Sequence, residues 1–269
     1  MCAACRRSCF HPAMIFYFSG TGNSRHVARR IAQATGERDI SIVRCLHEGT
    51  FAFRLSRNER VGLVAPVYFW GLPQIVIDFM SRLTLPDAAG HYIYTVATYG
   101  TSTGGFTHMA RSLFARKSWP LRATYSVRMV DVWTPLFDVS NQEKCLKITQ
   151  NAEPQIDTAI HGICRNASGN FASRSLPWWL ARWQYALYDR RRSTRYFKVN
   201  SRCTGCGLCA RLCPTGSISI NDSRPEWTKP RCTLCLSCLH HCPMSAIENG
   251  KSSHRHGRFL HPDEGQSHG

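Results

Sequence analysis

The sequence predicts an α/β protein in which a parallel sheet, covered by helices on both faces, is followed by a second, smaller domain. Strand-like apolar runs alternate with helical patterns from Met14 to about Asn166. Nearly continuous apolar strands separated by helices are typical of a doubly wound parallel sheet. Cysteines then concentrate between residues 203 and 242, and the length of 269 residues favours two domains over one.

The elements of the first domain follow from this alternation. A buried strand is predicted at Met14–Phe18 and a helix at Asn23–Ala34, just before Gly36, since glycine is typical of helix C-termini. Further strands are predicted at Ile40–Cys45, Val61–Val67, Tyr92–Thr98 and Ala123–Val130. Further helices are predicted at Gln74–Leu83, Phe106–Arg116 and Glu143–Cys164.

Composition and periodicity divide the chain into five segments. Residues 1–13 lack periodicity and are expected to be a leader, either untranslated because Met14 is the true start or disordered. Residues 14–166 form the first domain, residues 167–197 a linker with one aromatic, basic helix, and residues 198–250 the cysteine-rich domain. Residues 251–269 are polar and rich in histidine, and we expect a disordered tail.

The predicted linker helix, within residues 176–192, has an apolar face. Trp179, Trp183, Ala186 and Leu187 share this face, and arginines flank it. We expect the face to pack against one of the two domains. The alternative is a peripheral contact with an anionic membrane surface, which the flanking arginines would favour.

The chain is strongly basic, with 34 Lys and Arg against 17 Asp and Glu and a formal charge of +17. Such a charge favours an acidic protein, a membrane surface or a nucleic acid as partner. No secretory signal is visible ahead of the 14 cysteines, which predicts a reducing, cytoplasmic location. No run of 18 consecutive apolar residues predicts a transmembrane helix.

Eight of the cysteines form two copies of one pattern, C-x2-C-x2-C-x3-C followed by proline. The first copy begins at Cys203 and the second at Cys232, and Ile218 and Ile247 lie at the same offset in each, which indicates an internal duplication. Structural zinc sites usually use two separated C-x2-C pairs. Triads followed by Cys-Pro instead favour iron–sulfur clusters.

The short spacings let one loop place three thiolates at three corners of a cubane, and the other copy supplies the fourth thiolate. We therefore predict two 4Fe-4S clusters. Their ligands would be Cys203, Cys206, Cys209 and Cys242 in the first, and Cys232, Cys235, Cys238 and Cys213 in the second. Gly205 and Gly207 would let the backbone curl around the first cluster and direct amides at its sulfurs.

These residues resemble the bacterial two-cluster ferredoxin family over about Lys198 to Asn249. The resemblance implies a small α+β domain that moves one electron at a time at low potential. Many such ferredoxins are acidic, whereas this segment carries several basic residues, among them Arg202, Arg211 and Arg224. The resemblance and the charge together predict a redox protein partner that is acidic.

A glycine loop follows the first predicted strand directly and precedes a helix. Backbone amides and hydroxyls at a helix N-terminus favour an anion, so the loop predicts a phosphate site. A Walker A loop is excluded because no Gly-Lys-Ser/Thr follows, and the dinucleotide fingerprint fails because Arg25 stands where its third glycine would be. The loop residues are Ser19, Gly20, Thr21, Gly22, Asn23 and Ser24.

This loop resembles the phosphate loop of the flavodoxin family, and the resemblance extends over about Met14 to Asn166. It implies a five-stranded sheet in the order 2-1-3-4-5 and bound FMN. In that family two further loops, after the third and fourth strands, hold the flavin ring. The corresponding residues here are Pro66, Tyr68, Trp70, Gly71, Tyr99, Gly100, Gly104 and Gly105.

Both resemblances together predict an electron-transfer protein that passes single electrons through two 4Fe-4S clusters to or from FMN. One alternative is an FMN-dependent reductase of a small molecule, fed by the clusters. A more distant one is a basic, zinc-bearing nucleic-acid-binding protein, but no recognition helix or ribonucleoprotein motif supports it, and no nucleic-acid partner is expected. No acid–base catalytic residue is predicted, and His240 and His241 are expected at the surface.

Overall fold

The computed structural model describes residues 14–56 and 59–267. The predicted leader, residues 1–13, lies outside the described residues. So do the last two residues of the predicted tail.

A six-stranded parallel sheet forms the centre of the first domain. Its strands are β1 (Met14–Tyr17), β2 (Arg38–Ser41), β3 (Val61–Pro66), β4 (Ile93–Tyr99), β5 (Leu121–Arg128) and β6 (Gly169–Asn170). Their order across the sheet is β2-β1-β3-β4-β5-β6, with every pair parallel. The predicted order of the first five strands is confirmed, and the two-residue β6 extends the sheet beyond β5.

Seven α-helices lie in the described part of this domain and the linker. They are α1 (Asn23–Thr35), α2 (Ile42–Glu48), α3 (Gln74–Arg82), α4 (Phe106–Ala115), α5 (Gln142–Gln150), α6 (Glu153–Cys164) and α7 (Trp178–Arg191). Successive residues of a strand face opposite sides of the sheet. Ile15 therefore packs in one core with residues of α1 and α6, while Phe16 packs in the other with residues of α2, α3 and α4.

Two predicted elements are wrong in their extent. The predicted strand Ile40–Cys45 is a strand only to Ser41, because the Ser41 hydroxyl accepts a hydrogen bond from the Arg44 amide and starts α2. The predicted helix Glu143–Cys164 is two helices that meet at residues 151–152, and Pro154 lies in the first turn of α6. Proline is favoured in a first turn because its missing N–H has no partner there in any case.

The second domain is small and mixed, as predicted. Its elements are β7 (Phe197–Val199), α8 (Leu208–Arg211), β8 (Ile218–Asn221), β9 (Arg224–Trp227), α9 (Ser237–His240) and β10 (Ile247–Asn249). β7 pairs antiparallel with β10, and β8 pairs antiparallel with β9. β7 is the first strand of the domain and β10 is the last, so their pairing brings the two ends of the domain together and the duplicated cysteine loops lie between them in the chain.

The expectation of a disordered tail is wrong for residues 251–267. Ser253, Phe259 and His261 are buried, and the segment ends in a 3-10 helix at Pro262–Ser267. Phe259 packs with Val130 and Val139 of the first domain. The polar composition concealed this one apolar anchor, which lets the segment fold back along the first domain.

Residues 251–267, which we call the C-terminal segment, contact the glycine loop and the start of α1 through their last residues. The His261 amide donates to the Thr21 carbonyl at 2.8 Å, and Arg25 pairs with Glu264 at 3.0 Å. Both ring nitrogens of His26 are taken by carboxylates, Asp263 at 2.5 Å and Glu153 at 2.6 Å. The segment is thereby fastened beside the glycine loop.

The expected packing of the linker tryptophans is wrong for two of them. Trp179 is 69% exposed and Trp183 is 72% exposed, while Ala181 and Tyr188 on the opposite face of α7 are buried. Trp178 is the tryptophan that packs, with its ring stacked on His108 at 4.8 Å between centroids. Within residues 14–56 and 59–267, no helix combines the length and the apolar character needed to span a bilayer.

Candidate functional site

A cavity of about 270 Å³ opens at the carboxyl ends of β1, β3, β4 and β5. Ligands bind at this edge of open parallel sheets, where strand order reverses. Of the predicted FMN-binding residues, those that line the cavity are Ser19, Gly20, Thr21, Asn23, Ser24, Pro66, Tyr68, Trp70, Tyr99 and Gly100. All three predicted loops thus contribute to one cavity.

At the glycine loop, α1 begins beside the cavity with backbone amides that have no hydrogen-bond partner among the described residues. Gly22 is the N-cap of α1 in a left-handed conformation (φ 95°), and no side chain caps the helix. The first intrahelical bond runs from the His26 amide to the Gly22 carbonyl, so the three preceding amides of α1 have no partner within the helix. An anionic phosphate fits such a helix start without a lysine.

The loop hydroxyls are partly engaged within the protein. The Ser19 hydroxyl accepts from the Gly22 amide at 3.0 Å, and the Ser24 hydroxyl shares a hydrogen bond with Thr98 at 2.7 Å. The Asn23 side chain donates to the Val130 carbonyl at 3.1 Å. These contacts hold the loop in shape, and the hydroxyl of Ser19 still has its proton to donate.

A tight turn at residues 68–71 forms the second wall. Tyr68 and Gly71 exchange two backbone hydrogen bonds of 2.9 Å, and the two residues between them, Phe69 (φ 47°) and Trp70 (φ 65°), are left-handed. This conformation is rare for bulky residues and costs on the order of 1–3 kcal/mol each. The turn places both aromatic side chains at the cavity, and the surrounding contacts must offset its strain.

Four of the predicted residues lie outside the cavity lining. Gly22 lies against His261 and Glu264 of the C-terminal segment. Gly71 lies against the Tyr185 ring, Gly104 against Trp70, and Gly105 against Trp178. A Cβ at Gly104 would overlap the Cβ of Trp70. Gly71, Gly104 and Gly105 are therefore needed for close packing around the aromatic turn, and Gly22 for the close approach of the C-terminal segment.

Three contributors to the cavity were missed from the sequence. One is the loop after β5, from Met129 to Trp133, with Leu136 and Phe137. Another is the inner face of α7, through Gln184 and Tyr188. The third is the second cysteine loop, residues 234–236. The first could have been expected, because a loop that follows a parallel strand lies at the same sheet edge.

The missed loop brings two polar groups to the cavity. Burial raises the pKa of Asp131 to about 6, although the carboxylate accepts a hydrogen bond from the Trp133 amide. The buried indole nitrogen Nε1 of Trp133 has no hydrogen-bond partner among the described residues. A free donor at a ligand cavity fits a cofactor that carries carbonyl or hydroxyl oxygens, as FMN does.

The eight cysteines form two separate sites. Cys203, Cys206, Cys209 and Cys242 line one small cavity, which we call the outer cysteine site. Cys213, Cys232, Cys235 and Cys238 line another, which we call the inner cysteine site. Each site takes three residues from one copy of the duplicated pattern and the fourth from the other, as the predicted ligand sets require. All eight thiols are free of disulfides.

The two cysteine sites differ in burial. Every cysteine of the inner cysteine site is buried, whereas Cys206 of the outer cysteine site is exposed. Burial raises the pKa of the Cys232 thiol to about 11, and it raises the pKa of Cys235 and Cys238 well above the ordinary thiol range. Such thiols ionise only beside a strong positive charge, and the iron ions of a cluster fit that requirement.

Backbone amides point at several of the sulfurs. The Ser217 amide donates to Cys213 Sγ at 3.3 Å, and the Ala246 amide donates to Cys242 Sγ at 3.2 Å. These two bonds occupy equivalent positions in the two copies. Donors of this kind stabilise thiolate charge and tune the potential of a bound cluster.

The inner cysteine site touches the glycine loop. A Cβ built on Gly20 would lie 2.7 Å from the carbonyl oxygen of Cys235 and 3.1 Å from its Cβ. Cys235 is also part of the hydrophobic core of the first domain. The loop that holds the inner cysteine site is therefore one wall of the cavity.

The duplication explains which loop faces the cavity. Gly205 and Gly207 of the first copy are left-handed, and so are their counterparts Leu234 and Leu236 in the second, each with φ 56°. Leucine disfavours this conformation. Leu234 and Leu236 are both buried and line the cavity, so the strain is offset by apolar burial between the domains.

Tyr188 of α7 joins the linker helix to both domains. Its hydroxyl donates to the Thr233 carbonyl at 2.8 Å and accepts from the Gln74 amide at the start of α3 at 3.3 Å. Its ring lies 6.1 Å from that of Tyr68. One buried side chain thus ties the inner cysteine loop to the first domain.

The expected surface position is wrong for His240. Its Nε2 lies 2.8 Å from the Val132 carbonyl and its Nδ1 accepts from the Phe259 amide at 3.3 Å. Burial lowers its pKa to about 4, so the ring is neutral and donates from Nε2. His240 is a structural link between the second domain, the cavity loop and the C-terminal segment.

Two family models match the chain. One, described as a flavodoxin domain, matches residues 14–154, and the other, described as a 4Fe-4S dicluster domain, matches residues 189–248. The first match contains the residues of the first domain that line the cavity, and the second contains the eight cysteines of the two cysteine sites. Among curated proteins, none matches the sequence.

Several solved structures are similar to part of the chain. Rubredoxin oxygen:oxidoreductase of Desulfovibrio gigas is 15% identical with a TM-score of 0.34, and the match covers 55% of this chain and 36% of that one. An FMN-dependent NADH-azoreductase of Bacillus anthracis, in complex with FMN, is 11% identical with a TM-score of 0.37, covering 58% and 100%. The Trp repressor binding protein of Bacillus subtilis is 13% identical with a TM-score of 0.36, covering 54% and 95%.

Proposed function

Because the chain belongs to the flavodoxin family through residues 14–154 and carries a 4Fe-4S dicluster domain at residues 189–248, we propose that it passes single electrons between a partner protein and FMN through two 4Fe-4S clusters. When bound, the clusters exchange one electron at a time and FMN can take up one or two. The glycine loop would hold the FMN phosphate, and Tyr68 and Trp70 would flank the ring.

The contact between Gly20 and Cys235 carries this proposal. It makes the inner cysteine site a wall of the flavin cavity, with no intervening layer of protein. The outer cysteine site shares no lining residue with the cavity, and its Cys206 is exposed. The order of burial supports a route from an external partner to the outer site, then the inner site, then the cavity.

The surface around the outer cysteine site supports an acidic partner. Arg202, Arg211 and Arg224 are all exposed there, and the Arg211 guanidinium donates to the Cys206 carbonyl at 3.0 Å. Complementary charge speeds the encounter of two proteins and orients them. An acidic electron carrier would therefore approach the exposed end of the proposed route.

The first experiment is anaerobic purification with quantification of flavin, iron and sulfide. We expect one FMN with about eight iron and eight sulfide per chain. About four iron would contradict the two-cluster proposal, and the absence of iron and sulfide would refute the electron-transfer function.

The second experiment tests the order of the sites with Cys206→Ala and Cys238→Ala variants. Both are expected to lose about half of the iron. Flavin reduction by an acidic carrier protein should fall in both variants, whereas in Cys206→Ala a small-molecule reductant should still reduce the remaining cluster and FMN together. Reoxidation of FMN by a small molecule, with no exchange to any protein, would instead indicate the reductase alternative.

A further inference from the structure

The solvent-facing side of α7 carries an apolar surface that the proposed electron route does not use. Trp179 and Trp183 are 69% and 72% exposed, and Leu180 and Leu187 are 39% and 42% exposed. The spacing of these four residues places them on one face of the helix. We call this the α7 face.

Two tryptophans on one exposed face are unusual for a surface helix. Large apolar side chains normally contribute to a core, and a contiguous exposed group of them marks an interaction surface. The α7 face is not part of the core, because its side chains are exposed, and α7 packs on the protein through its opposite side. There Ala181 is buried and the Tyr185 hydroxyl donates to the Leu72 carbonyl at 2.8 Å.

The charges around the α7 face are basic. Arg182, Arg190 and Arg191 are exposed on the same helix. The acidic residue of α7, Asp189, is paired with Arg192 at 3.3 Å and with Arg231 at 2.7 Å. The surface therefore offers tryptophan and leucine side chains within a positive field.

We propose that the α7 face binds the surface of an anionic lipid bilayer, with the helix lying in the plane of the interface. Tryptophan favours this position because its apolar ring enters the acyl boundary while its N–H stays near water. Arginines at the flanks are attracted to anionic headgroups, by about fivefold in affinity for each residue near the surface. An α-helix of 14 residues is long enough to lie along the interface but too short to cross it.

The inner side of α7 gives this orientation a consequence. Gln184 and Tyr188 line the cavity at the sheet edge. Binding through the α7 face would therefore hold the cavity wall one helix diameter from the headgroups, about 10 Å. The basic surface at the outer cysteine site is a different part of the molecule and is built from other arginines.

Vesicle flotation with the full chain, loaded anaerobically with flavin and iron, tests the proposal. Vesicles of phosphatidylcholine with one third phosphatidylglycerol are compared with vesicles of phosphatidylcholine alone. We expect the protein to float with the anionic vesicles and much less with the neutral ones. High salt should weaken the binding.

Three variants separate the contributions. Trp179→Ser/Trp183→Ser should weaken binding to anionic vesicles by about tenfold or more, and Arg182→Gln/Arg190→Gln/Arg191→Gln should weaken it and reduce its salt dependence. Leu146→Ser is the matched control, since Leu146 is 48% exposed on α5, and its binding should equal that of the wild type. Unchanged flavin and iron content shows that each variant is folded.

Two kinds of result would overturn the proposal. The first is a wild-type chain that stays with the aqueous fraction, or a double tryptophan variant that floats equally well. The second is a different occupant of the α7 face. A wild-type dimer that becomes monomeric in the tryptophan variant would assign the face to a second copy, and slower electron exchange with a carrier protein in that variant, without flotation, would assign it to a protein.

Discussion

The hydroxyl of Tyr188 is predicted to hold the two domains in their relative position, and Tyr188→Phe removes that hydroxyl alone. The side chain is 2% exposed. Its removal leaves the Thr233 carbonyl without a donor at 2.8 Å and the Gln74 amide without an acceptor at 3.3 Å. Pro73 precedes that amide and offers no side-chain cap to replace the tyrosine.

The expected loss follows from the two buried groups. Leaving a buried donor or acceptor unpaired costs about 1–3 kcal/mol, and the carbonyl, with its second lone pair, contributes less than the amide. A total of about 2 kcal/mol, divided by a urea m-value of about 3 kcal/mol/M, lowers the unfolding midpoint by about 0.7 M. The midpoint is measured anaerobically on the cofactor-loaded chain by circular dichroism and flavin release.

Tyr185→Phe provides the matched comparison. Tyr185 lies on the same helix and also donates one hydrogen bond, to the Leu72 carbonyl, but it is only partly buried. Its removal leaves no amide unpaired, so a shift of less than half that of Tyr188→Phe is expected. Equal midpoints for the two variants, or an unchanged midpoint for Tyr188→Phe, would refute the argument that this hydroxyl joins the domains.

Two further predictions concern the cavity. Gly20→Ala should weaken FMN binding by about 5- to 100-fold and slow flavin reduction through the clusters, because the added methyl would lie 2.7 Å from the carbonyl oxygen of Cys235. The control is Gly90→Ala, where the added methyl meets open space and neither quantity should change. A wild-type FMN affinity for Gly20→Ala would contradict the close contact. The Asp131 carboxyl, with its pKa raised to about 6, is protonated below that pH and negative above it, so ionisation opposes the anionic cofactor as pH rises. The wild type and Asp131→Asn should therefore bind FMN equally near pH 5, and the variant should bind it several-fold more tightly above pH 7. The ratio of the two affinities is the measured quantity, since the cofactor phosphate titrates equally in both proteins. A ratio that does not change with pH would exclude this role.

Most of the sheet could be predicted because its central strands, β1, β3 and β4, are buried along almost their whole length. Ile15 and Phe16 are both fully buried on opposite faces, which is the pattern of a strand covered on both sides. The prediction was wrong where a single polar residue decided the structure. Ile42 and Cys45 favour a strand by type, yet Ser41 starts a helix that buries both of them.

The site could be predicted only as far as local pattern reaches. The glycine loop and the cysteine spacings are local signals, and the structure brings their residues into one cavity and two cysteine sites. The contact between the domains is not local. A readable signal existed, because Leu234 and Leu236 replace the glycines of the first copy, and leucine at left-handed positions indicates burial against another surface.

The strain in the aromatic turn could not have been predicted. Nothing in the order Tyr-Phe-Trp-Gly indicates that Phe69 and Trp70 are left-handed. The conformation is set by tertiary contacts, including the Gly105 amide, which donates to the Trp70 carbonyl at 2.8 Å. Sequence patterns report the preferences of residues that are near each other in the chain, whereas the conformation of this turn depends on Gly105, 35 positions after Trp70.

The unequal burial of the two cysteine sites predicts that clusters bound there differ in their sensitivity to oxygen. Dioxygen and other oxidants reach Cys206 from solvent, whereas each cysteine of the inner cysteine site is at most 9% exposed. Oxidative damage should therefore begin at the outer site and leave the inner one beside an intact flavin. A briefly aerated sample would keep about half of its iron, and refilling the outer site alone would then restore exchange with a carrier protein.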